Sequence, residues 1–422
     1  MKQIVLKEEL IVKLCGTDIN SLEQQIKAEL REKGKKMLEE AVKEIEGKVA
    51  KKKKRKCGCS GKRRNKGRSK NTINSMLGSV SYMRTRLRCE KCGKEYYPFD
   101  DYLGINSETK ATLGLMEQSL YLATDSAYDR ASEMQDKLTG VKVSGRQIQN
   151  WAKEEGRRIK EKAEELRKEI FDKSRIPESE ETRDRVFVQV DGTFVKNREK
   201  SKSRSMECKV GIIYSKKVKV SKNRMKILDK RTYATTQNVE TFREEFIAEC
   251  NRWGVWEARE LLFVGDGATW IKRICSEDFP DAVYLLDFWH LAENISRALG
   301  EDHRTASGNW ISEVRESYDA KKLLERIKAL YARIDDPDRQ KKIRNLYDYV
   351  KNNEDGINNW KKVNCLGASG AIEKTVDVAV ARRFKLRGMS WLYPGLSGLL
   401  ALRVLKLNGE WDSYWNLRGV AA

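Results

Sequence analysis

This sequence predicts a mixed α/β chain with a basic, cysteine-bearing N-terminal region and an all-helical insertion. Three observations lead there. Residues 185 to 286 run as three strand patterns followed by helix, strand, helix and strand. Residues 298 to 362 are helical in pattern and highly charged. Residues 51 to 70 hold twelve lysines and arginines and no acid. The expected segments are 1–50 (helical), 51–105 (basic and cysteine-containing), 106–176 (helical), 177–297 (first part of the α/β core), 298–362 (insertion) and 363–422 (the core's last part).

Composition narrows the partner. The 422 residues carry a formal net charge of +22, so a polyanion is the first expectation. A membrane surface would attract the same charge, yet no apolar run reaches the roughly 18 residues of a spanning helix. The longest uncharged stretch, Gly388 to Leu402, contains Pro394 and two further glycines. The N-terminus lacks the apolar core of a signal peptide, so the expected location is cytoplasmic. Nine cysteines, mostly isolated, suit reduced thiols better than a disulfide framework. The only histidines are His290 and His303, which excludes a multi-histidine zinc active site.

Residues 21 to 50 show apolar side chains at three- and four-residue steps, from Leu22 to Val49. Ser21 with Gln24 suggests a capping box, and Gly34 is expected to interrupt the helix. The stripe suits pairing of two protomers or packing on this chain's own core equally. The basic block from Lys51, Lys52, Lys53 and Lys54 onward cannot fold alone. It reads as a phosphate clamp, with a solvated linker as the alternative. Cys57 and Cys59, with Cys89 and Cys92, can offer four thiolates to a structural Zn²⁺ in a small zinc ribbon, with Ser79 to Arg88 as its strand. The first pair is one residue short, and the 29 residues from Ser60 to Arg88 exceed the usual gap, so free cysteines are the alternative.

Residues 127 to 155 read as helix, glycine-containing turn and helix, with Ser144 capping the second, Gly145 to Glu155. This is the outline of a helix-turn-helix DNA-binding unit, and also of ordinary helical pairs. Ile148 and Trp151 fall on its buried face. Arg146, Gln147, Gln149 and Asn150 fall outward, and such side chains can read base edges.

After an acidic linker around 177 to 184, strands are expected at 185–195, 207–215 and 227–236, then a helix at 239–253. A strand at 260–264, a helix at 268–275 and a strand at 282–286 follow. That order is the one of a ribonuclease-H-like mixed sheet with helices on both faces. Val186, Val188 and Val190 share one face of the first strand; Phe187, Gln189 and Asp191 share the other. Asp266 ends Leu-Leu-Phe-Val-Gly-Asp, and Gly267 after it leaves room for a ligand. Glu373 and Asp377 lie one helical turn apart, and spacing alone lets either face the same site. A carboxylate in an apolar setting costs several kcal/mol unless something pairs with it. Three of them suggest a shared site for two hard cations, Mg²⁺ or Mn²⁺, and phosphoryl transfer on nucleic acid.

Val190-Asp-Gly-Thr193, Val264-Gly-Asp-Gly267, Asp287-Phe-Trp-His290 and Gly370-Ala-Ile-Glu373, in that order, resemble bacterial insertion-sequence DDE transposases. The similarity is to the ISKra and ISLre groups, allied to the Mutator-like superfamily. It extends over most of residues 75 to 405, including the run from Asp100 to Gly104 and the tail from Arg382 to Trp391. The resemblance implies Asp191, Asp266 and Glu373 as the catalytic, metal-holding triad, and it favours Glu373 over Asp377. It also implies a signature at Asp287, Trp289 and His290, with His290 near phosphate or supporting the carboxylates. Residues 298 to 362 match the family's insertion domain, where Trp310 would stack on a flipped base or simply pack. Arg382, Arg383, Lys385 and Arg387 would steady DNA near the site, or form a solvated basic face.

The expected function is therefore a DNA transposase. Its N-terminal half would bind terminal inverted repeats, and its core would cut strands and join them to target DNA, as a homodimer or higher oligomer. A non-catalytic DNA-binding relative and a structure-specific nuclease of the same fold are the rivals.

Overall fold

A computed structural model of the chain describes residues 18–49, 57–105, 110–175, 182–199, 203–221, 224–300, 304–363 and 370–421. Lys51 to Lys54 and His303 lie outside them. The chain forms two compact units, Met1–Ala152 with Glu410–Ala422, and Lys153–Gly409.

The first unit opens with α1, Ile19–Val49. Its start is one turn earlier than the Ser21 capping box implies. Asp18 accepts the Ser21 amide at 2.9 Å and the Ser21 hydroxyl as well. Gly34 does not interrupt it. A helical glycine costs only about 1 kcal/mol, and the helix gains more from its C-terminal half, where Leu38, Val42, Ile45 and Val49 pack on Ile73, Val80, Tyr82 and Phe99. The apolar stripe is thus spent on the chain's own core there, while Ile19 and Leu30 stay exposed.

A hairpin follows: β1, Arg63–Ser75, antiparallel to β2, Gly78–Cys89, with the short β3, Glu95–Tyr96, beside β2. Lys66 and Gly67 bulge between the paired positions Asn65 and Arg68, with Gly67 at φ +90°. This corrects the expectation that residues 51–70 stay unfolded. From Arg63 on, the block is a strand, because its charges find partners: Arg68 pairs with Glu46 of α1, Arg64 with Glu90, and Arg63 lies over the Tyr96 ring at 3.5 Å.

Helices α2 (Pro98–Tyr102), α3 (Leu113–Ala123) and α4 (Tyr128–Thr139) come next. Gly140, at φ +65°, ends α4. The Ser144 hydroxyl then accepts the Gln147 amide at 3.2 Å and starts α5, Gly145–Phe171. That helix runs well beyond the expected end at Glu155, and the division between the units falls inside it.

The second unit holds a five-stranded mixed sheet. Its strands are β4 (Arg185–Lys196), β5 (Ser205–Ser221), β6 (Arg224–Thr235), β7 (Glu260–Gly265) and β8 (Val283–Leu286). The order is β6-β5-β4-β7-β8, antiparallel up to β4 and parallel from β4 to β8. Helices α6 (Val239–Trp253) and α7 (Thr269–Asp278) bring Phe242, Phe246, Ile271 and Ile274 onto the Val186–Val188–Val190 face. The opposite face is buried too, with Gln189 fully enclosed.

Helix α8 (Phe288–Leu299) follows, then α9 (Arg304–Ser317), α10 (Ala320–Tyr331), α11 (Pro337–Asn352), α12 (Glu354–Asn358) and a 3₁₀ turn Asn359–Lys362 in the stretch expected to be helical. Then come α13 (Ala371–Val376), a π-helical turn Asp377–Ala381, and α14 (Arg382–Phe384). The π turn loosens the helical ladder, and Arg403 donates to its Val378 and Ala379 carbonyls at 2.9 and 3.1 Å. Arg403 belongs to α15, Tyr393–Leu407, which begins within the uncharged stretch noted above and runs past its end at Leu402.

The last helix, α16, Trp411–Ala421, belongs to the first unit. Trp411 sits edge-on to Tyr121 of α3 at 5.4 Å, and its indole donates to Glu117 at 3.3 Å.

Candidate functional site

Three strand or helix ends bring the acids together. Asp191 lies on β4, just past the stretch paired with β7. Its Oδ1 accepts the Gly192 amide at 2.6 Å. Asp266 directly follows β7; its Oδ1 accepts the Ala268 amide at 2.7 Å. This is the carboxyl edge of the parallel strands, where ligands gather in open sheets. Glu373 sits in the first turn of α13, which is tied to β4 by the Ile372 amide donating to Gln189 Oε1 at 2.9 Å.

The start of α8 closes the group. The Asp287 amide donates to the Gly265 carbonyl at 2.8 Å, and Asp287 Oδ1 accepts the Trp289 amide at 2.8 Å. That places His290 with Nε2 3.3 Å from Glu373 Oε1. Burial works against a charged imidazole, but Glu373, Asp287 and Asp266 outweigh it and raise His290 above its ordinary pKa. Both Glu373 oxygens are shut from solvent without a well-formed hydrogen bond. A carboxylate so placed calls for a cation. Asp377, the alternative by spacing, turns instead to Lys374 and Arg382, both at 3.0 Å.

Asp191 carries the electrostatic cost of the cluster. Burial first, then the nearby Asp266 and Glu373, push its carboxyl up to about 6, against the opposing Gly192 amide and His290. A carboxyl whose folded pKa is raised favours the protonated fold. Stability is therefore undiminished below about pH 4 and falls as pH rises through about 6. The shift from 3.8 corresponds to about 3 kcal/mol of penalty at neutral pH. Metal-free Asp191→Asn protein is expected to melt several degrees above the unsubstituted chain at pH 7 and level with it at pH 4. Equal midpoints at pH 7 by differential scanning calorimetry would contradict this.

Two residues without a sequence signal brace Asp266. The Tyr349 hydroxyl donates to the Asp266 carbonyl at 2.7 Å, and the Asn353 amide donates to the Tyr349 carbonyl at 2.8 Å. Gly267, at φ +91°, fits against both; a Cβ there would stand 2.7 Å from Asn353 Nδ2. Gln189 was findable, being the one polar side chain between valines on a strand read as core-forming.

The remaining expected residues divide. The Lys385 ammonium donates to the Thr193 hydroxyl, two residues from Asp191. Arg387 is exposed, and Arg382 is exposed but paired to Asp377. Arg383 cannot meet DNA: it is 0% exposed, with its guanidinium 5.1 Å from the Trp391 ring centre. Of the two readings of Trp310, the packed one fits the structure. It is 8% exposed with Arg326 over its ring, so packing and not base stacking accounts for it. Trp289 is half exposed, edge-on to His290. On α5, Arg146 and Asn150 are exposed while Gln147 and Gln149 are half-buried.

A second site lies in the first unit. Cys57, Cys59, Cys89 and Cys92 gather their sulfurs within 4.8 Å of one another and could hold a metal ion. Among the described residues no other set of three or more cysteines, histidines and acids is gathered so tightly; the three carboxylates stand wider. Neighbouring sulfurs are 3.4 to 3.6 Å apart. A tetrahedron with Zn–S bonds of about 2.3 Å has edges of about 3.8 Å. The Tyr96 hydroxyl, 2.9 Å from Cys57 Sγ, pulls that thiol down to about 6, toward the thiolate a metal needs.

A family model described as an uncharacterised protein family, UPF0236, matches residues 14–415. Similar proteins include a UPF0236 protein of Caldanaerobacter subterraneus subsp. tengcongensis, 24% identical over 414 residues, 95% of this chain and 82% of the relative. Its name covers eleven loci. A second from that organism is 24% identical over 416 residues, 95% and 83%. A UPF0236 protein in the vanSb 3′ region of Streptococcus gallolyticus is 22% identical over 353 residues, 81% and 74%.

Proposed function

The chain belongs to the UPF0236 family, and we propose that it is the DNA transposase of an insertion sequence, cutting and joining strands at Asp191, Asp266 and Glu373. The observation that carries this is the convergence of the three acids and His290 at one sheet edge. A family present in many copies of one genome suits a mobile element. The strand order, three antiparallel then two parallel, supports a ribonuclease-H-like core. No helix among the described residues is long and apolar enough to cross a membrane.

The donor set suits hard cations: oxygen ligands, with both Glu373 oxygens shut from solvent and His290 beside one of them. Bound there, a pair of Mg²⁺ or Mn²⁺ ions supplies activation of the attacking oxygen and charge stabilisation at the leaving oxygen. The chain's own residues do the rest. Asp191 and Asp266, held by the Gly192 and Ala268 amides, keep fixed orientations. His290, with Nε2 3.3 Å from Glu373 Oε1, holds that carboxylate in place. Lys385 sits where a phosphate beside Asp191 would need a cation. In the first unit, the four cysteines would hold a structural Zn²⁺, and the basic residues would bind element ends, with a second copy of the chain on the other end.

Labelled duplex carrying the DNA that flanks this gene, incubated with the chain and Mn²⁺, should show both nicking and joined products on a target plasmid. Nicking without joining would make the protein a nuclease; neither would end the proposal. Tyr349→Phe should lower the cleavage rate roughly tenfold with DNA affinity unchanged, because it frees the Asp266 turn by one hydrogen bond. An unchanged rate would remove Tyr349 from the positioning of Asp266.

A further inference from the structure

The hairpin of β1 and β2 has two unlike faces. One carries Ile73, Val80 and Tyr82 and is covered. On the other, the paired rungs Lys70–Met83, Thr72–Ser81 and Asn74–Ser79 stand free. All but half-buried Ser81 are exposed, and Met83 is 44% exposed, a large apolar side chain left in water. The lower rungs are linked: Thr72 and Ser81 hydroxyls lie 3.1 Å apart, and the Ser79 hydroxyl donates to Asn74 Oδ1 at 2.7 Å. From Arg63 to Cys89 there are eight arginines and lysines and no acid; Arg64, Arg68, Arg84 and Arg86 pair with acids outside the hairpin, while exposed Lys70 lies on this face.

These features fit one occupant. Side chains two apart on a strand are separated by about 6.8 Å, twice the roughly 3.4 Å step between base pairs. Two strands about 4.8 Å apart fit a B-form major groove about 12 Å wide. Lys, Asn, Ser and Thr supply donors and acceptors for base edges, and an exposed Met suits the thymine methyl. The four cysteines gather at the end of the hairpin opposite its turn, and at the turn end Leu77 lies against Gly34 of α1 while the Asn74 backbone bonds to Lys110 and Thr112, so the ribbon is held at both ends with this face outward.

We propose that this ribbon enters the major groove of duplex DNA and carries the sequence reading, a role otherwise expected of the Ser144-capped helix. The inference rests on the DNA-binding part of the proposed function. Double-stranded RNA does not fit, because its major groove is too deep and narrow for side chains to read.

The test uses the full chain and a duplex DNA pool with a randomised centre. The unsubstituted chain should enrich a motif. Met83→Ala and Thr72→Ala, both surface changes with unaltered far-ultraviolet circular dichroism, should each cut its preference for that motif over scrambled duplex roughly tenfold. Affinity for scrambled duplex should stay within about twofold. Replacing the motif's thymines with deoxyuridine should weaken the unsubstituted chain and leave Met83→Ala unaffected. Preference that survives both ribbon changes but falls with Arg146→Ala overturns the ribbon in favour of the helix. Equal binding of duplex RNA overturns it as well. A chain that nicks DNA in Mn²⁺ but enriches no motif overturns the ribbon alone. A chain that neither binds nor nicks overturns both readings.

Discussion

Asp266→Ala protein is expected to bind element-end DNA as tightly as the unsubstituted chain and to leave it uncut in Mg²⁺ or Mn²⁺, a loss of roughly 10³-fold or more. The side chain touches little that stability needs. Among the described residues its hydrogen bond is to the Ala268 amide, at the start of α7. What it supplies is a fixed negative oxygen beside Asp191 and Glu373. On the proposed chemistry, removing it would take away a ligand and misplace a cation held by the other two. Glu373→Gln should behave the same way, keeping the shape and losing the charge. Asp377→Ala should cost no more than a few-fold, because Asp377 is already neutralised by Lys374 and Arg382. Denaturing gels of end-labelled duplex decide it: an Asp266→Ala protein that still nicks removes this residue from the chemistry.

Chain purified without chelators is expected to carry one zinc, and Cys89→Ser to carry none. The consequence for the fold is large, since zinc held by four thiolates contributes on the order of 10 kcal/mol to small domains built around it. The ribbon has little else at that end. Gly61 packs directly on the Cys89 sulfur, β3 is two residues long, and Tyr96 spends its hydroxyl on Cys57. Hydrogen exchange across residues 57 to 96 should therefore quicken in Cys89→Ser, while exchange in β4 and β7 stays slow. Elemental analysis finding no zinc, with exchange unchanged by Cys89→Ser, would leave the four as ordinary reduced cysteines.

What could be read from the sequence was local. Alternating valines marked β4 and its buried face, and the helix Val239–Trp253 has the expected bounds. Asp191 and Asp266 stood out because an acid in an apolar run is costly unless a cation or a donor meets it. What could not be read depended on partners distant in sequence. β1 is a strand because Glu46 and Glu90 neutralise a run that alone would repel itself. Arg383 looked like a surface cation until Trp391 and Phe384 enclosed it. Asp377 and Glu373 differ by one turn of helix and spacing does not separate them; His290 meets Glu373, while Lys374 and Arg382 meet Asp377. Tyr349 is one tyrosine among fifteen, and nothing near it announces a bond to Asp266.

The return of α16 to the first unit bears on how the protein is made. Trp411 completes the packing around Tyr121, and the two are 290 positions apart. At roughly 5–20 residues per second, a ribosome needs on the order of 15–60 seconds to get from one to the other. Throughout that interval α3 lacks the Trp411 contact, and the first unit stays incomplete while the second unit is synthesised. A nascent chain halted before Trp411 would carry the basic ribbon without the helix that seals its unit, a species open to chaperones and proteases. Completion of the first unit therefore waits on synthesis of the second.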